Sequence, residues 1–600
     1  MSKVLYACSR NSSFSPNTKK KLNEICNQLV PDNIDVPKPH VVRVEDDVAY
    51  AVCMDSGALQ ESRMSLLLGF LYEKHKVRWD EPGKNYPDGN YALFRGDEAE
   101  LEVVSDCVGT RTVWYYHDEE IFIASTSQRA IIMFLGTFEF DERVIPWMLS
   151  TGSLGPQFSW DKRIERLPVD SSLSLDKKSW RTSITQTPIN FSVVSRKKED
   201  HKKVLSDAIS QTMESLKGVD FERWVLPLSG GYDSRGILFF IKNTIGAPDN
   251  LKAITWGLEK SQYEKDNDAY VAKELAHSVG VQHKYYHTDI SPEPLEVVFD
   301  RFLFCSEGRV DRIAGYMDGM DIWKQLHDEG VDGAIRGDES FGELPVSSEL
   351  NVKNIVGFGL CYDYKNLSKF IDDFGFSSQE IPVELQKKEE ETLYAWRDRV
   401  HQEYRMPTVF AALSDIKFSY LEEINPLLSK SVLDVVRSLP DDLREDKYLF
   451  KSVVESMGAN VPFAIKCANA NPEDILREKE CVDLMKSEII SDYSAELFGS
   501  GFADRVISEI KVGNGKSRKW SIKGLVSPLL PTSIKNRLRD TVARPSVDGN
   551  VLAFRVFMII RMHKMLTLDA TRMADLQHRA ADEVRASLEP ELSPSVNIMG

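Results

Sequence analysis

Trp224-Val225-Leu226-Pro227-Leu228-Ser229-Gly230-Gly231-Tyr232-Asp233-Ser234-Arg235-Gly236-Ile237-Leu238-Phe239-Phe240-Ile241 is the stretch that decides the fold. Its first five residues are an apolar run, its middle is a loop of small residues, and its end opens a helix. Two glycines let backbone approach a ligand closely. The helix opening offers unpaired N–H groups and a positive dipole to an anion. Ser229 and Ser234 add hydroxyl donors, and Asp233 adds a carboxylate suited to Mg²⁺. No lysine closes the loop, so it is not a Walker phosphate loop. Taken alone, the segment could also be a plain turn capping a helix.

Downstream the texture alternates. His201 to Val219 carries apolar residues with a helical period and predicts a helix ahead of the 224–228 strand. Leu251 to Trp256 and Gln282 to His287 read as strands, with a helix from Asp266 to Gly280 between them. That alternation predicts a parallel α/β sheet with ligands at the carboxyl ends of its strands. From about 345 onward the chain reads mainly helical. Upstream, residues 1 to about 185 look β-rich: Asn90–Arg95, Leu101–Ser105, Thr112–Tyr116 and Ile121–Ser125 are short aromatic or β-branched runs between turn residues. Ser195 to Asp200 reads as a charged linker.

The order Ser-Gly-Gly-x-Asp-Ser after a strand resembles the pyrophosphate loop of N-type ATP pyrophosphatases. Further segments resemble the asparagine synthetase family in order. They are Ile254-Thr255-Trp256-Gly257-Leu258, the run from Asp268 through Gly280 to His283, Gly337-Asp338-Glu339-Ser340-Phe341-Gly342, and Asn425-Pro426-Leu427-Leu428 with Leu439-Pro440. Asp106-Cys107-Val108-Gly109-Thr110-Arg111 through Tyr115-Tyr116 to Ala124-Ser125 resembles the glutaminase-type N-terminal domain of the same family. The likeness spans roughly residues 40 to 470.

The fold class this implies is α/β. Residues 1–190 would form an Ntn-hydrolase-like, glutaminase-type β-rich domain. Residues 201–470 would form a doubly wound parallel ATP-pyrophosphatase domain, and 471–600 a helical extension.

The resemblance implies an ATP-dependent ligase that adenylates a carboxylate, turning hydroxide, a poor leaving group, into AMP, so that an amine can form a C–N bond. ATP and Mg²⁺ are the implied cofactors. The backbone at Gly230 and Gly231 with Ser229 and Ser234 suits pyrophosphate. Asp233 and Asp338 are assigned to Mg²⁺, Leu228 and Trp256 to the adenine, and Gly337 to the nucleotide loop. Lys466, then Lys451, is chosen to stabilise the transition state. A solvated surface lysine is the plain alternative for each.

Two departures bear on subtype. Glutamine-dependent members expose an N-terminal cysteine after methionine removal; position 2 here is Ser, and Cys8 is internal. The first domain is therefore expected to lack glutaminase activity, with Cys8 a buried small hydrophobe. In the second signature the family's Ser-Gly-x-Gly-x-Asp-Glu becomes Gly333-Ala334-Ile335-Arg336-Gly337-Asp338-Glu339. Ile335 cannot do acid–base work. Arg336 suits a phosphate or a substrate carboxylate, unless it is a structural ion pair.

Loss of the nucleophile is shared with lasso peptide cyclases and β-lactam synthetases, in which an amine already on the substrate attacks. A peptide or small-molecule carboxylate is the expected partner, with an ammonia- or glutamine-using asparagine synthetase and a non-catalytic ATP-binding homologue as alternatives. Asp415, Glu422 and Glu423 are read as lying on one helix near the place of a general base.

Composition fits this reading. Hydrophobic content of 42% and charged content of 28% over 600 residues are ordinary for a globular chain of several domains. A net charge of −17 argues against nucleic acid and anionic membranes as partners. The N-terminus lacks a signal-peptide core. The apolar stretch Val551 to Ile560 is broken by Arg555, too short to span a bilayer, and reads as a buried helix. Eight scattered cysteines without metal-ligand spacing favour a cytoplasmic location. Lys511 to Arg544 holds nine basic residues against Asp540. It is either a docking patch for an acidic peptide or carrier protein or a solvated face.

Overall fold

Side chains of the strand Lys3–Ser9 alternate between two cores: Val4, Tyr6 and Cys8 enter one, Leu5 and Ala7 the other. This period of two recurs through the first part of the chain and builds two six-stranded antiparallel sheets. In a computed structural model, which describes residues 2–588 except 12, 16, 56, 74–77, 85, 247–249, 459–460, 470–471 and 514–543, these sheets stack face to face. Phe94, Leu101 and Val103 of the second sheet meet Tyr6 and Tyr50 of the first. Helices α1 (Asn17–Gln28) and α2 (Gln128–Leu135) cover the outer face of the first sheet.

The linker reading of Ser195 to Asp200 is corrected: helix α3 (Lys198–Glu214) already contains its second half. Glu199 and Asp200 sit in the first turn, where acids favour the helix dipole.

The parallel sheet consists of β1 (Trp224–Pro227), β2 (Lys252–Gly257), β3 (Gln282–His287), β4 (Gly333–Ile335) and β5 (Glu422–Ile424), ordered β3-β2-β1-β4-β5. Helix α4 (Tyr232–Ile245) follows β1, and α5 (Asp268–Ser278) joins β2 to β3. The order reverses between β1 and β4. Adjacent strands there lead their loops in opposite directions and leave a crevice at their carboxyl ends. The fold class is thus mixed α/β, with two antiparallel sheets and one doubly wound parallel sheet.

β5 corrects a second expectation. Asp415 is helical, in α6 (Ala411–Phe418), but Glu422 and Glu423 lie on a strand. Two adjacent acids give no strand signal. They are held because Glu422 pairs with Arg111 of the first unit and Glu423 with Lys417 at 2.8 Å.

The first unit grips the region after β5. Asp88 accepts the N–H groups of Lys430 (2.7 Å) and Ser431 (2.9 Å), satisfying orphan donors at the start of α7 (Lys430–Arg437). Helix α8 (Tyr448–Ser456) packs on α3 and α4. The last helix, α9 (Gly549–Leu588), returns to the first unit, where Asp569 pairs with the buried Arg129 of α2 at 2.8 Å. No helix among the described residues is long and apolar enough to cross a membrane. The basic stretch between Lys511 and Arg544 lies outside the described residues from 514 to 543.

Candidate functional site

The loop Ser229–Gly231 emerges from β1 at the sheet's switch point. Leu228 is anchored first: its N–H donates to the Ile254 carbonyl (2.8 Å) and its carbonyl accepts the Thr255 hydroxyl (2.6 Å). The two serines then lie across the loop from each other, Oγ to Oγ 3.0 Å apart, with the Ser229 N–H donating to Ser234 Oγ at 2.9 Å. The Gly231 N–H reaches Ser229 Oγ at 3.3 Å, and the Gly230 N–H reaches Asp268 Oδ1 at 3.2 Å.

Gly230 is glycine for lack of room: a Cβ there would stand 2.3 Å from the Ala464 Cβ. The chain around 464 is pinned over the loop. Arg235 donates to the carbonyls of Val461 (2.8 Å) and Pro462 (2.9 Å), and Phe463 stacks on Tyr232.

The second signature leaves β4 and comes alongside. Gly337 presses on the start of α4 and leads into Asp338 and Glu339. Charges of opposite sign interleave from here. Lys447 Nζ lies 2.9 Å from Asp233 and 2.6 Å from Glu339. Arg336 contacts Asp338 at 3.1 Å and Glu423 at 3.3 Å. Lys417 completes the chain at Glu423.

Burial and this pairing compete at each group. Burial pushes Glu339 up to about 7, with Asp233 adding to it against Lys447. Burial also raises Asp233; Lys447 opposes, and Asp338 adds. For Asp338, burial is outweighed by the Arg336 guanidinium, and the carboxyl sits below its ordinary range. Burial lowers the Lys417 ammonium, with Arg336 reinforcing it. The Lys447 ammonium is raised: burial works against the charge, but Glu339 and Asp233 prevail.

A cavity of about 250 Å³ opens between the two signatures. Of the residues singled out in the sequence, Leu228, Ser229, Asp233, Ser234, Trp256, Arg336, Gly337 and Asp338 line it, together with Thr255, Asp268 and Asn469. Gly230 and Gly231 form the loop without lining the space. Lys451 and Lys466 are not brought in. Lys451 pairs with Asp446 at 2.7 Å, and the Lys466 side chain is exposed while its backbone bonds to Asp266 and Asp268.

Lys447 takes the place reserved for Lys451. Asp446 and Lys447 both adopt left-handed backbone (φ 49° and 56°), which turns the lysine inward just before α8. Such a conformation costs roughly 1–2 kcal/mol per non-glycine residue, so surrounding contacts must hold it. Nothing in the spacing of Lys447 and Lys451 distinguishes them beforehand. Ile335 is wholly buried in the sheet. Of the three acids considered for a base, Asp415 is engaged by Arg309 and Glu422 by Arg111; only Glu423 reaches Arg336.

The donor chemistry suits Mg²⁺ held mainly by phosphate oxygens. Asp233 and Asp338 offer hard oxygen ligands on one cavity, whereas a cluster of three or more metal-binding side chains does not occur among the described residues.

No family model matches the chain, and no curated protein matches it. Solved structures align at low similarity. A U34-tRNA thiolase from Methanococcus maripaludis has 12% identity over 58% of this chain and 91% of its own, with a TM-score of 0.20. An allosteric regulatory enzyme of purine biosynthesis has 10% identity over 56% and 90%, with a TM-score of 0.21. A glutamine phosphoribosylpyrophosphate amidotransferase from B. subtilis, complexed with ADP and GMP, has 10% identity over 57% and 83%, with a TM-score of 0.20.

Proposed function

We propose that this chain is an ATP-dependent ligase that adenylates a carboxylate and passes the acyl group to an amine. The observation that carries this reading is the pairing of an anion cradle with a cation. The start of α4, with Ser229 and Ser234, faces Asp338 across one cavity at the switch point, and Lys447 pairs with Asp233 of its wall.

The residues divide the work. Leu228 and Trp256 flank the adenine, and Thr255 holds Leu228 in place. N–H groups at the start of α4 and the hydroxyls of Ser229 and Ser234 receive the β and γ phosphates. Asp233 and Asp338 would hold Mg²⁺, which neutralises phosphate charge when bound. A substrate carboxylate oxygen attacks the α phosphorus, and the bond to the bridging oxygen breaks as pyrophosphate leaves. Lys447 donates to the phosphate oxygens as charge gathers on them. The amine nitrogen then attacks the acyl carbon, AMP departs with the bonding pair, and the amine loses one proton. Glu423, wholly buried between Arg336 and Lys417, lines neither the cavity nor its neighbour and holds those two cations in place rather than taking the proton.

Two features favour an amine carried by the substrate, as in lasso peptide cyclases and β-lactam synthetases, over one released from glutamine by the first unit. Ser2 is buried and its hydroxyl donates to the Met54 carbonyl at 3.3 Å. Cys8 is wholly buried, and burial pushes its thiol up to about 12, far from a reactive thiolate. On this reading the first unit is a glutaminase-type fold without that activity.

Isotope exchange between ATP and pyrophosphate, stimulated by a carboxylate and yielding AMP rather than ADP, tests the proposal. Release of ADP would remove it.

A further inference from the structure

Behind the nucleotide cavity lies a second one of about 320 Å³, and the two share Trp256, Arg336 and Asn469. Its walls are aromatic. Trp256 and Trp323 meet edge to face, ring centres 5.2 Å apart at 70°, and form a corner that Tyr316 extends. Its floor is cationic: Arg336 and Lys417 line it, Arg312 stands at its mouth, and no acid does so among the described residues.

Resting on the ligase reading above, we infer that this second cavity holds the acid to be activated, and that this acid carries an aromatic ring. Arg336 turns Nε and Nη2 to Asp338, with Nε also 3.3 Å from Glu423; its Nη1 makes no hydrogen bond to protein among the described residues. A carboxylate in the second cavity meets that nitrogen next to the phosphate cradle, where attack on the α phosphorus has to start. The ring of the acid then lies against the tryptophan corner, in offset or edge-to-face contact.

A diacid is the competing occupant, because three cations line the space. The charges behind the floor decide against it. Asp338 and Glu423 already balance Arg336 and Lys417, so Arg312 alone is left for a second carboxylate. Arg312 is 55% exposed and only 3.8 Å from its neighbour Asp311, and an ion pair so open to water contributes little. Ring burial against Trp256 and Trp323 outweighs it.

The test is calorimetric titration of the full chain, with magnesium and a non-hydrolysable ATP analogue present, using N-acetylphenylalanine, N-acetylalanine, N-acetylaspartate and N-acetylphenylalanine amide. N-acetylphenylalanine should bind about tenfold tighter than N-acetylalanine, and the amide weaker still. Trp323→Leu, and more strongly Trp323→Ala, should erase the difference between the phenylalanine and alanine probes while the analogue binds as before. Equal binding of the two probes, or tighter binding of N-acetylaspartate, overturns the inference and leaves the ligase reading standing. Failure of the nucleotide analogue to bind overturns both.

Discussion

Gly337 lies so close to the backbone of Asp233 that a Cβ on the glycine would stand 2.9 Å from the Asp233 carbonyl carbon, and equally near the Ser234 nitrogen. The two signatures, about a hundred residues apart in sequence, are therefore in backbone contact. That contact sets the distance between Asp338 and the helix start, and so the width of the anion cradle.

Gly337→Ala should push the two loops apart. The clash is with backbone, which cannot rotate away, and overpacking of this kind costs about 1–3 kcal/mol. The expected result is a lower melting temperature together with weakened ATP binding. Unchanged nucleotide affinity by calorimetry would show that the contact does not set the cradle.

Lys447 and Lys451 make opposite predictions. Removing a donor aimed at developing charge typically lowers turnover by about 10²–10³-fold. Lys447→Met should do so in ATP–pyrophosphate exchange. Lys451→Met removes a partly exposed pair with Asp446 and should change the rate little. A reversed pattern would return the role to Lys451.

Asp233→Asn and Asp338→Asn keep the shape and remove the charge. Each should lower AMP formation by at least about 10²-fold and weaken the dependence on magnesium concentration, with circular dichroism unchanged. Turnover at the parental rate in either variant would exclude that carboxylate as a magnesium ligand.

His283 supplies a pH dependence. Its Nε2 lies 2.9 Å from the Thr255 hydroxyl, and burial, with Lys273 adding, lowers its imidazolium to about 4. The unfolded chain, at the ordinary value near 6.5, takes up the proton first. The stabilisation is therefore complete above about pH 6.5 and is lost as pH falls toward 4. Thermal melts from pH 7 to 4.5 should show this fall, and His283→Gln should flatten it. An equal slope in the variant would assign the effect to other groups.

Much of the parallel sheet was legible because its signals are local: apolar runs closed by small residues at β1, a helical period with a glycine stop after α5. Leu228, Ser229, Asp233, Ser234 and Asp338 could be read as neighbours because they flank strand ends. Lys447 could not, since its inward turn comes from two consecutive left-handed residues that no spacing announces. Glu422 and Glu423 read as helical because β5 is three residues long and held from both sides by cations distant in sequence. Arg336 showed its charge but not its double engagement, which required Glu423 to be on a strand.

The pairing of Arg129 with Asp569 has a consequence for biosynthesis. Helix α2, which covers the outer face of the first sheet, is itself covered by a helix that begins at residue 549. A ribosome adding about 5–20 residues per second needs tens of seconds to reach it after the first sheets are made. Through that interval α2 carries an uncovered apolar flank, a natural target for a chaperone. A chain cut short before α9 should therefore be recovered as aggregate rather than as a smaller folded protein.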